Sequence, residues 1–249
     1  MMAQEKKLAI VIPTYNEKDN IFNIVSEIGH ALQRQNIKVI LIIVDDNSPD
    51  GTANLIKRNI PILKENFNFM DIQVNIREGK LGLGSAYIFG FKKALEQNCD
   101  YILEMDADLS HQPKYIPLFL ESIQDKDIII GSRYIRGGST ENWSFRRRLL
   151  SRSAGLYART ILGMKVQDMT AGFVMYKSNV LKAINIDQIK SNGFSFQIEM
   201  KYNAFKKGFT IKEIPIIFPD RVKGASKMNR SIILEALIGV WKLKFSRNK

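Results

Sequence analysis

Cysteine occurs once in the 249 residues, at Cys99. A single thiol excludes an internal disulfide framework and fits a reducing compartment. Long apolar runs are missing too. A helix that spans a bilayer needs about 20 consecutive apolar residues, whereas the nearest stretch, Ile232 to Trp241, is short and interrupted by Glu235. The opening Met-Met-Ala-Gln-Glu-Lys-Lys has no apolar signal-peptide core and leads straight into a strand. The expectation is a chain that is either soluble or bound to a membrane surface. Internal repeats and low-complexity linkers are absent as well, so residues 1–249 read as one domain. Acidic residues are in deficit: 25 Asp and Glu stand against 37 Lys and Arg, a net charge of +12. The basic surplus, concentrated after Arg133, points to an anionic partner, whether nucleic acid, anionic lipid or a phosphate-rich small substrate.

What is present is a strict alternation of two patterns. Short β-branched runs (Leu8 to Ile12, Lys38 to Val44, Ile72 to Ile76, Tyr101 to Met105, Ile128 to Gly131) read as strands covered on both faces. Between them lie stretches of helical periodicity, Lys18 to Arg34, Thr52 to Glu65, Ser85 to Gln97 and Pro113 to Ile123. Thr170 to Tyr176, Phe194 to Phe205, Ile214 to Phe218 and Ile232 to Leu243 supply further strand and helix. The alternation predicts an α/β domain with a mainly parallel sheet flanked by helices.

The run Tyr101 to Met105 ends in two carboxylates, Asp106 and Asp108, separated by Ala107. At the C-terminal end of a strand, where α/β sheets place ligands, two hard oxygen donors suit Mg²⁺ or Mn²⁺ shared with substrate phosphates. A strand-ending Asx turn is the plainer reading of the same residues. Asp46-x-Ser48-x-Asp50-Gly51 opens like a calcium loop, but its twelfth position is Lys57 rather than Glu. Gly79 to Gly84 lacks both the Walker and the dinucleotide register, although Lys80 and the local N–H groups could meet a phosphate. Residues 136–165 carry seven basic residues against one acid, Glu141, with Phe145, Leu149, Leu156, Ile161 and Leu162 interleaved. That is the composition of a basic amphipathic helix lying in a membrane interface, or of a core-packed helix with a solvated basic face. No nucleic-acid recognition pattern accompanies it. Near the C-terminus, residues 219–229 hold three cations and a glycine, enough to fold over a polyphosphate as a lid.

Taken in order, several stretches resemble the dolichol-phosphate (polyprenol-phosphate) mannose synthases, inverting glycosyltransferases of the GT-A, or nucleotide-diphospho-sugar transferase, fold. They are Pro13-Thr-Tyr-Asn-Glu17, Val44-Asp-Asp-Asn-Ser-Pro-Asp-Gly-Thr52, Lys80-Leu-Gly-Leu-Gly-Ser-Ala-Tyr87 and Met105-Asp-Ala-Asp-Leu-Ser-His111, followed by Gly131-Ser-Arg-Tyr134, Asn142-Trp-Ser-x-Arg-Arg147, Asp168-x-Thr-Ala-Gly172 and Asp220-Arg-Val-x-Gly-x-Ser-Lys227. The resemblance implies a nucleotide pocket of Pro13, Tyr15, Glu17, Val44 and Asp46, with Ala107 allowing the donor to approach. It implies a divalent metal, Mg²⁺ or Mn²⁺, on Asp106 and Asp108. Ser110 stands where some relatives carry a Gln ligand and is the weaker donor. Arg133, Arg147 and Ser151 match positions that hold the acceptor phosphate; Arg221 and Lys227 match lid cations on the leaving diphosphate. The implied partners are GDP-mannose, a dolichyl or polyprenyl phosphate and the cytoplasmic face of a membrane, bound peripherally. Some members of this family also rely on a small membrane-anchoring subunit.

A phosphomonoester acceptor is already anionic near neutral pH, so the implied reaction is one in-line displacement that needs no general base. Two rivals follow from the same residues. One keeps the fold and transfers glucose from UDP-glucose to a prenyl phosphate. The other is a non-catalytic module that binds the membrane surface, against which the clustered charges at Asp106, Asp108, Arg221 and Lys227 argue.

Overall fold

The computed structural model of the protein describes residues 5–189, 191, 193–220 and 230–245, and for 230–236 the backbone alone. Arg221 and Lys227 of the expected lid lie outside the described residues. Among the described residues nine strands form: β1 (Lys7–Thr14), β2 (Lys38–Asp45), β3 (Met70–Ile76), β4 (Tyr101–Glu104), β5 (Ile128–Ser132), β6 (Ser139–Thr140), β7 (Val174–Lys177), β8 (Ile211–Pro215) and β9 (Ile217–Phe218). Seven of them make one sheet in the order β3-β2-β1-β4-β7-β5-β8, and β6 pairs with β9 beside it. The β1–β2, β2–β3, β1–β4 and β5–β8 pairs are parallel. Within this mainly parallel sheet β7 runs antiparallel to β4 and β5. The chain leaves β5 at the C-terminal edge of the sheet, makes an excursion through β6 and the basic helix, and re-enters at that same edge. β7 must therefore run back. The excursion keeps residues 133–173 on the side where the strands deliver their carboxylates.

Strand periodicity of two sorts the core into two layers. Leu8, Ile10, Ile12, Leu41, Ile43 and Leu103 face one side, which is covered by α1 (Lys18–Leu32), α2 (Thr52–Asn66) and α4 (Ile116–Ser122). Ala9, Val11, Ile42, Val44 and Ile102 face the other, beneath α3 (Leu83–Glu96), α5 (Phe145–Leu162), α6 (Ser178–Ala183), α7 (Gly193–Lys206) and α8 (Arg230–Phe245). In α1 the buried Ile21, Ile24, Val25, Ile28 and Leu32 recur at the spacing that keeps them on one stripe. Each fully buried aliphatic of this kind contributes about 1.5–3 kcal/mol. α3 sits unusually close to β1, since a Cβ on Gly90 would fall 2.2 Å from Val11 Cγ1.

Several element boundaries differ from the sequence expectation, and three of them bear on the site. α3 starts at Leu83 rather than Ser85, after Gly82 at φ 96°, a backbone angle that glycine reaches without strain. Pro113–Tyr115 is a 3₁₀ turn that precedes α4. The expected strand 214–218 is split, because β5 ends at Ser132 opposite Pro215 and the chain beyond it pairs with β6 instead.

Candidate active site

The ends of β1, β2 and β4 converge at the C-terminal edge of the sheet. Pro13 lies opposite Val44 in the β1–β2 register, so the expected nucleotide-pocket residues occupy adjacent strand ends. Asp45 ties the two loops together, accepting from Thr14 Oγ1 at 2.7 Å, Ser48 Oγ at 2.6 Å and Ser48 N–H at 2.9 Å. Asp50 accepts from the backbone N–H groups of Lys18 and Thr52 at 3.0 and 2.9 Å, the starts of α1 and α2. Burial works against its charge, but a hydrogen bond from Thr52 Oγ1 at 2.6 Å, with these backbone bonds, holds its carboxyl below the ordinary range. The calcium-like segment thus serves helix ends.

Asp46 is tied to Arg77, whose Nε donates at 2.6 Å, and to Leu81 N–H at 3.2 Å. Arg77 also donates to Ser85 Oγ at 2.9 Å, which fastens the Gly79–Gly84 loop to the end of β2. Lys80 Nζ lies 4.1 Å from the Tyr15 ring centroid, so the phosphate-competent lysine and the ring expected at the nucleotide share one place. Glu17 accepts from Asn20 at 2.9 Å, and its backbone N–H donates to Thr52 Oγ1 at 3.0 Å.

Past β4 the chain folds tightly on itself. Asp106 N–H donates to His111 Nδ1 at 2.8 Å, and Ser110 N–H donates to Asp108 Oδ1 at 3.1 Å. Leu109 adopts φ 62° between them, a left-handed conformation that costs a non-glycine residue about 1–2 kcal/mol. Strain of this sort collects at functional sites. Tyr87 O–H donates to Asp106 Oδ1 at 2.8 Å, and burial keeps that phenol well above its ordinary pKa and therefore protonated. Ser110 Oγ is buried with no hydrogen-bond partner. Two carboxylates and an unpartnered hydroxyl within five residues fit a hard divalent cation. Among the described residues no group of three or more His, Cys, Asp or Glu could hold a metal by itself; the set fits an ion whose other ligands are water and substrate oxygens.

A buried polar network underlies this turn. Glu104, the last residue of β4, accepts from Tyr176 O–H at 3.1 Å and, with the Gln197 amide assigned so that its nitrogen faces the carboxylate, from that nitrogen at 2.8 Å. Lys201, equally buried, donates to Ala171 O at 2.7 Å. Burial pushes Glu104 up to about 8 and Lys201 down to about 8, each opposed by the other's charge. Beside them Arg133 donates through Nε and Nη2 to the two oxygens of Asp168 at 2.8 and 2.6 Å, and from Nη2 to Thr170 Oγ1 at 2.9 Å. Burial opposes both charges, but mutual attraction prevails, raising the Arg133 pKa and lowering that of Asp168. Arg133, expected at the acceptor phosphate, is a buried guanidinium in a forked ion pair. Cys99 lies apart, its thiol pushed up to about 11 by burial and hence inert.

Arg147 and Ser151 project from the first turns of α5. Ser144 caps that helix by accepting from Arg147 N–H. The Arg147 guanidinium stacks 3.8 Å over Trp143 and donates to Asp220 Oδ1 at 2.6 Å, so the base of the expected lid is tied to the expected acceptor site. Ser151 Oγ accepts from Tyr134 O–H at 2.6 Å. Arg133 also lies 5.5 Å from the Trp143 ring, which makes that indole the partition between the two arginines.

Residues 9–184 match the model of glycosyl transferase family 2. The chain belongs to that family. It is 38% identical over 239 residues to the polyprenol monophosphomannose synthase of Mycolicibacterium smegmatis, covering 94% of this chain and 86% of that protein. It is 37% identical over 234 residues to the undecaprenyl-phosphate mannosyltransferase of Micrococcus luteus, covering 94% and 92%. Among solved structures, glucosyl-3-phosphoglycerate synthase from Mycobacterium tuberculosis, in complex with Mn²⁺, UDP-glucose and phosphoglyceric acid, superposes with TM-score 0.66 at 16% identity, covering 98% of this chain and 81% of that one. The expected GT-A architecture and glycosyltransferase class are therefore those of this protein.

For this family 2 glycosyltransferase the basic helix has a definite orientation. α5 packs through Gly155, Ala158 and Leu162, while Phe145, Leu149 and Leu156 are 74%, 55% and 53% exposed. α8 lies beside α5, with Tyr157 O–H donating to Leu237 O at 3.1 Å, and exposes Ile238, Trp241 and Phe245. No helix of the described residues is long and apolar enough to cross a membrane. Tyr87, Arg77, Trp143 and Asp168 are site residues to which sequence reasoning assigned no role. Three of them lie inside the quoted motifs, which was the available signal; Arg77 lies just outside one.

Proposed function

We propose that this family 2 glycosyltransferase transfers mannose from GDP-mannose to a dolichyl or other polyprenyl phosphate with inversion, releasing GDP. One observation carries the reading: two relatives named for mannosyl transfer to prenyl phosphates align over 94% of the chain. The geometry supports it. Asp106 and Asp108 would hold Mg²⁺ or Mn²⁺, which when bound would neutralise charge on the donor diphosphate. Pro13, Tyr15, Glu17, Val44, Asp46 and Ala107 seat the nucleotide; Arg221 and Lys227, which lie outside the described residues, are assigned to its phosphates by the family resemblance alone. Arg147 and Ser151 bind the acceptor phosphate at the rim, with Arg133 fixed behind them. The acceptor oxygen forms its bond to the anomeric carbon as the donor's sugar–phosphate bond breaks, and the electron pair leaves on GDP. A phosphomonoester is largely ionised at neutral pH, so no side chain need take its proton.

The exposed stripe of α5 supports peripheral binding to a membrane surface, which we assign to the cytoplasmic face. Phe145, Leu149, Arg152, Leu156 and Arg159 succeed one another at helical spacing, placing apolar side chains for the acyl boundary and arginines for headgroups on one stripe. The test is radiolabelled transfer into a short prenyl phosphate from GDP-mannose and from UDP-glucose, each with Mg²⁺ or Mn²⁺. Mannosyl product from GDP-mannose is expected. Glucosyl product alone would overturn the donor assignment, and no product from either donor would overturn the acceptor class.

A further inference from the structure

We infer that Tyr87 is a positioning residue of the metal site: its phenol commits one oxygen of Asp106 and so presents the other to the cation. The inference rests on reading Asp106 as a metal carboxylate. Asp106 Oδ1 accepts from Tyr87 O–H at 2.8 Å. Oδ2 stands 4.0 Å from His111 Nδ1, but that nitrogen already accepts Asp106 N–H and so carries no proton to offer. Oδ2 is the oxygen left for a ligand, on a carboxylate that is still partly open to solvent.

The phenol cannot swing away. Tyr87 is fully buried and lies between Phe91 and Phe196, with centroids at 5.9 and 6.0 Å and ring planes tilted by 26° and 8°. The glycine-rich start of α3 makes this placement possible, since a Cβ at Gly84 would lie 2.7 Å from Ser191 O and 3.0 Å from the Phe196 ring. The Lys80–Tyr87 motif therefore has a use beyond a tight turn: it lowers α3 until a phenol from its second turn reaches the metal carboxylate. Groups behind a metal ligand that fix its orientation typically change metal affinity 10–100-fold when removed.

The test is Mn²⁺ binding to the whole chain by electron paramagnetic resonance, with saturating GDP. Tyr87→Phe keeps the ring stack, and thermal unfolding verifies that it folds. Its Mn²⁺ affinity is expected to fall about 10–100-fold, and in an Asp106→Asn background the same change is expected to add nothing. In the wild type, Mn²⁺ is expected to produce a tyrosine ultraviolet difference signal that Asp106→Asn lacks, a readout that leaves Tyr87 intact. Unchanged affinity in Tyr87→Phe, an equal loss in the Asp106→Asn background, or no difference signal would each overturn the inference. Wild-type Mn²⁺ binding by Asp106→Ala would instead overturn the metal site itself.

Discussion

Replacing Lys201 by Met has an outcome set by one buried pair. Lys201 and Glu104 are both fully buried, and both are displaced to about 8, Lys201 downward and Glu104 upward from 4.5. Glu104 is faced by Tyr176, Gln197 and Asp106 besides Lys201, and Lys201 by Asp168, Arg133 and Glu213. Between pH 4.5 and about 8 the folded state keeps a proton on Glu104 that the unfolded chain has lost. A raised carboxyl pKa means stability that is full below 4.5 and declines as pH rises towards 8, by about 1.4 kcal/mol per unit for one proton. Above 8 the sign reverses. Folded Lys201 has then released a proton that the unfolded chain holds up to 10.5, so stability recovers at a similar rate. The wild type should pass through a minimum near pH 8. Lys201→Met removes both the recovery and the charge that lowers the Glu104 pKa, so its decline continues past pH 8. The gap between wild type and variant should be smaller on the acid side of pH 8 and widen as pH rises past it, since the wild type recovers while the variant goes on declining. Guanidinium unfolding followed by tryptophan fluorescence at each pH measures it. A gap that stays flat from pH 6 to 9 would refute the reasoning.

Three further outcomes follow from contacts already described. Asp168→Asn leaves the Arg133 guanidinium buried without its counter-charge and should cost about 3–5 kcal/mol, read as a lower midpoint in denaturant unfolding. Arg147→Ala removes a partly exposed cation stacked on Trp143 and should raise the KM for the prenyl phosphate about tenfold while leaving the donor KM near the wild-type value; equal rises in both would count against an acceptor role. Leu149→Glu combined with Leu156→Glu alters only exposed positions, so it should leave the unfolding midpoint within a few degrees yet reduce flotation with anionic liposomes about tenfold or more.

Much of the fold was legible because it rests on local pattern. Alternating β-branched runs and helical stripes announced the α/β sheet, and the burial of Ile21, Ile24, Val25, Ile28 and Leu32 followed directly from their spacing. The direction of β7 was not legible, since it depends on where a forty-residue excursion re-enters the sheet. Nor was the face on which α5 packs. Its periodicity marks a stripe of large apolar residues, yet the small side chains Gly155 and Ala158 are the ones that let it approach the core.

By itself the sequence determined that Asp106 and Asp108 stand at the end of a buried strand, that cations gather after Arg133 and that no internal disulfide exists. These depend on neighbours in the chain and on composition. Only the tertiary structure decided what each charge faces. Arg133 meets Asp168 thirty-five residues on, Asp46 meets Arg77, and Asp106 meets Tyr87. Partners so far apart in sequence are chosen by how the sheet and helices pack, and in a dry interior that choice determines whether an arginine is a ligand in waiting or half of a buried pair.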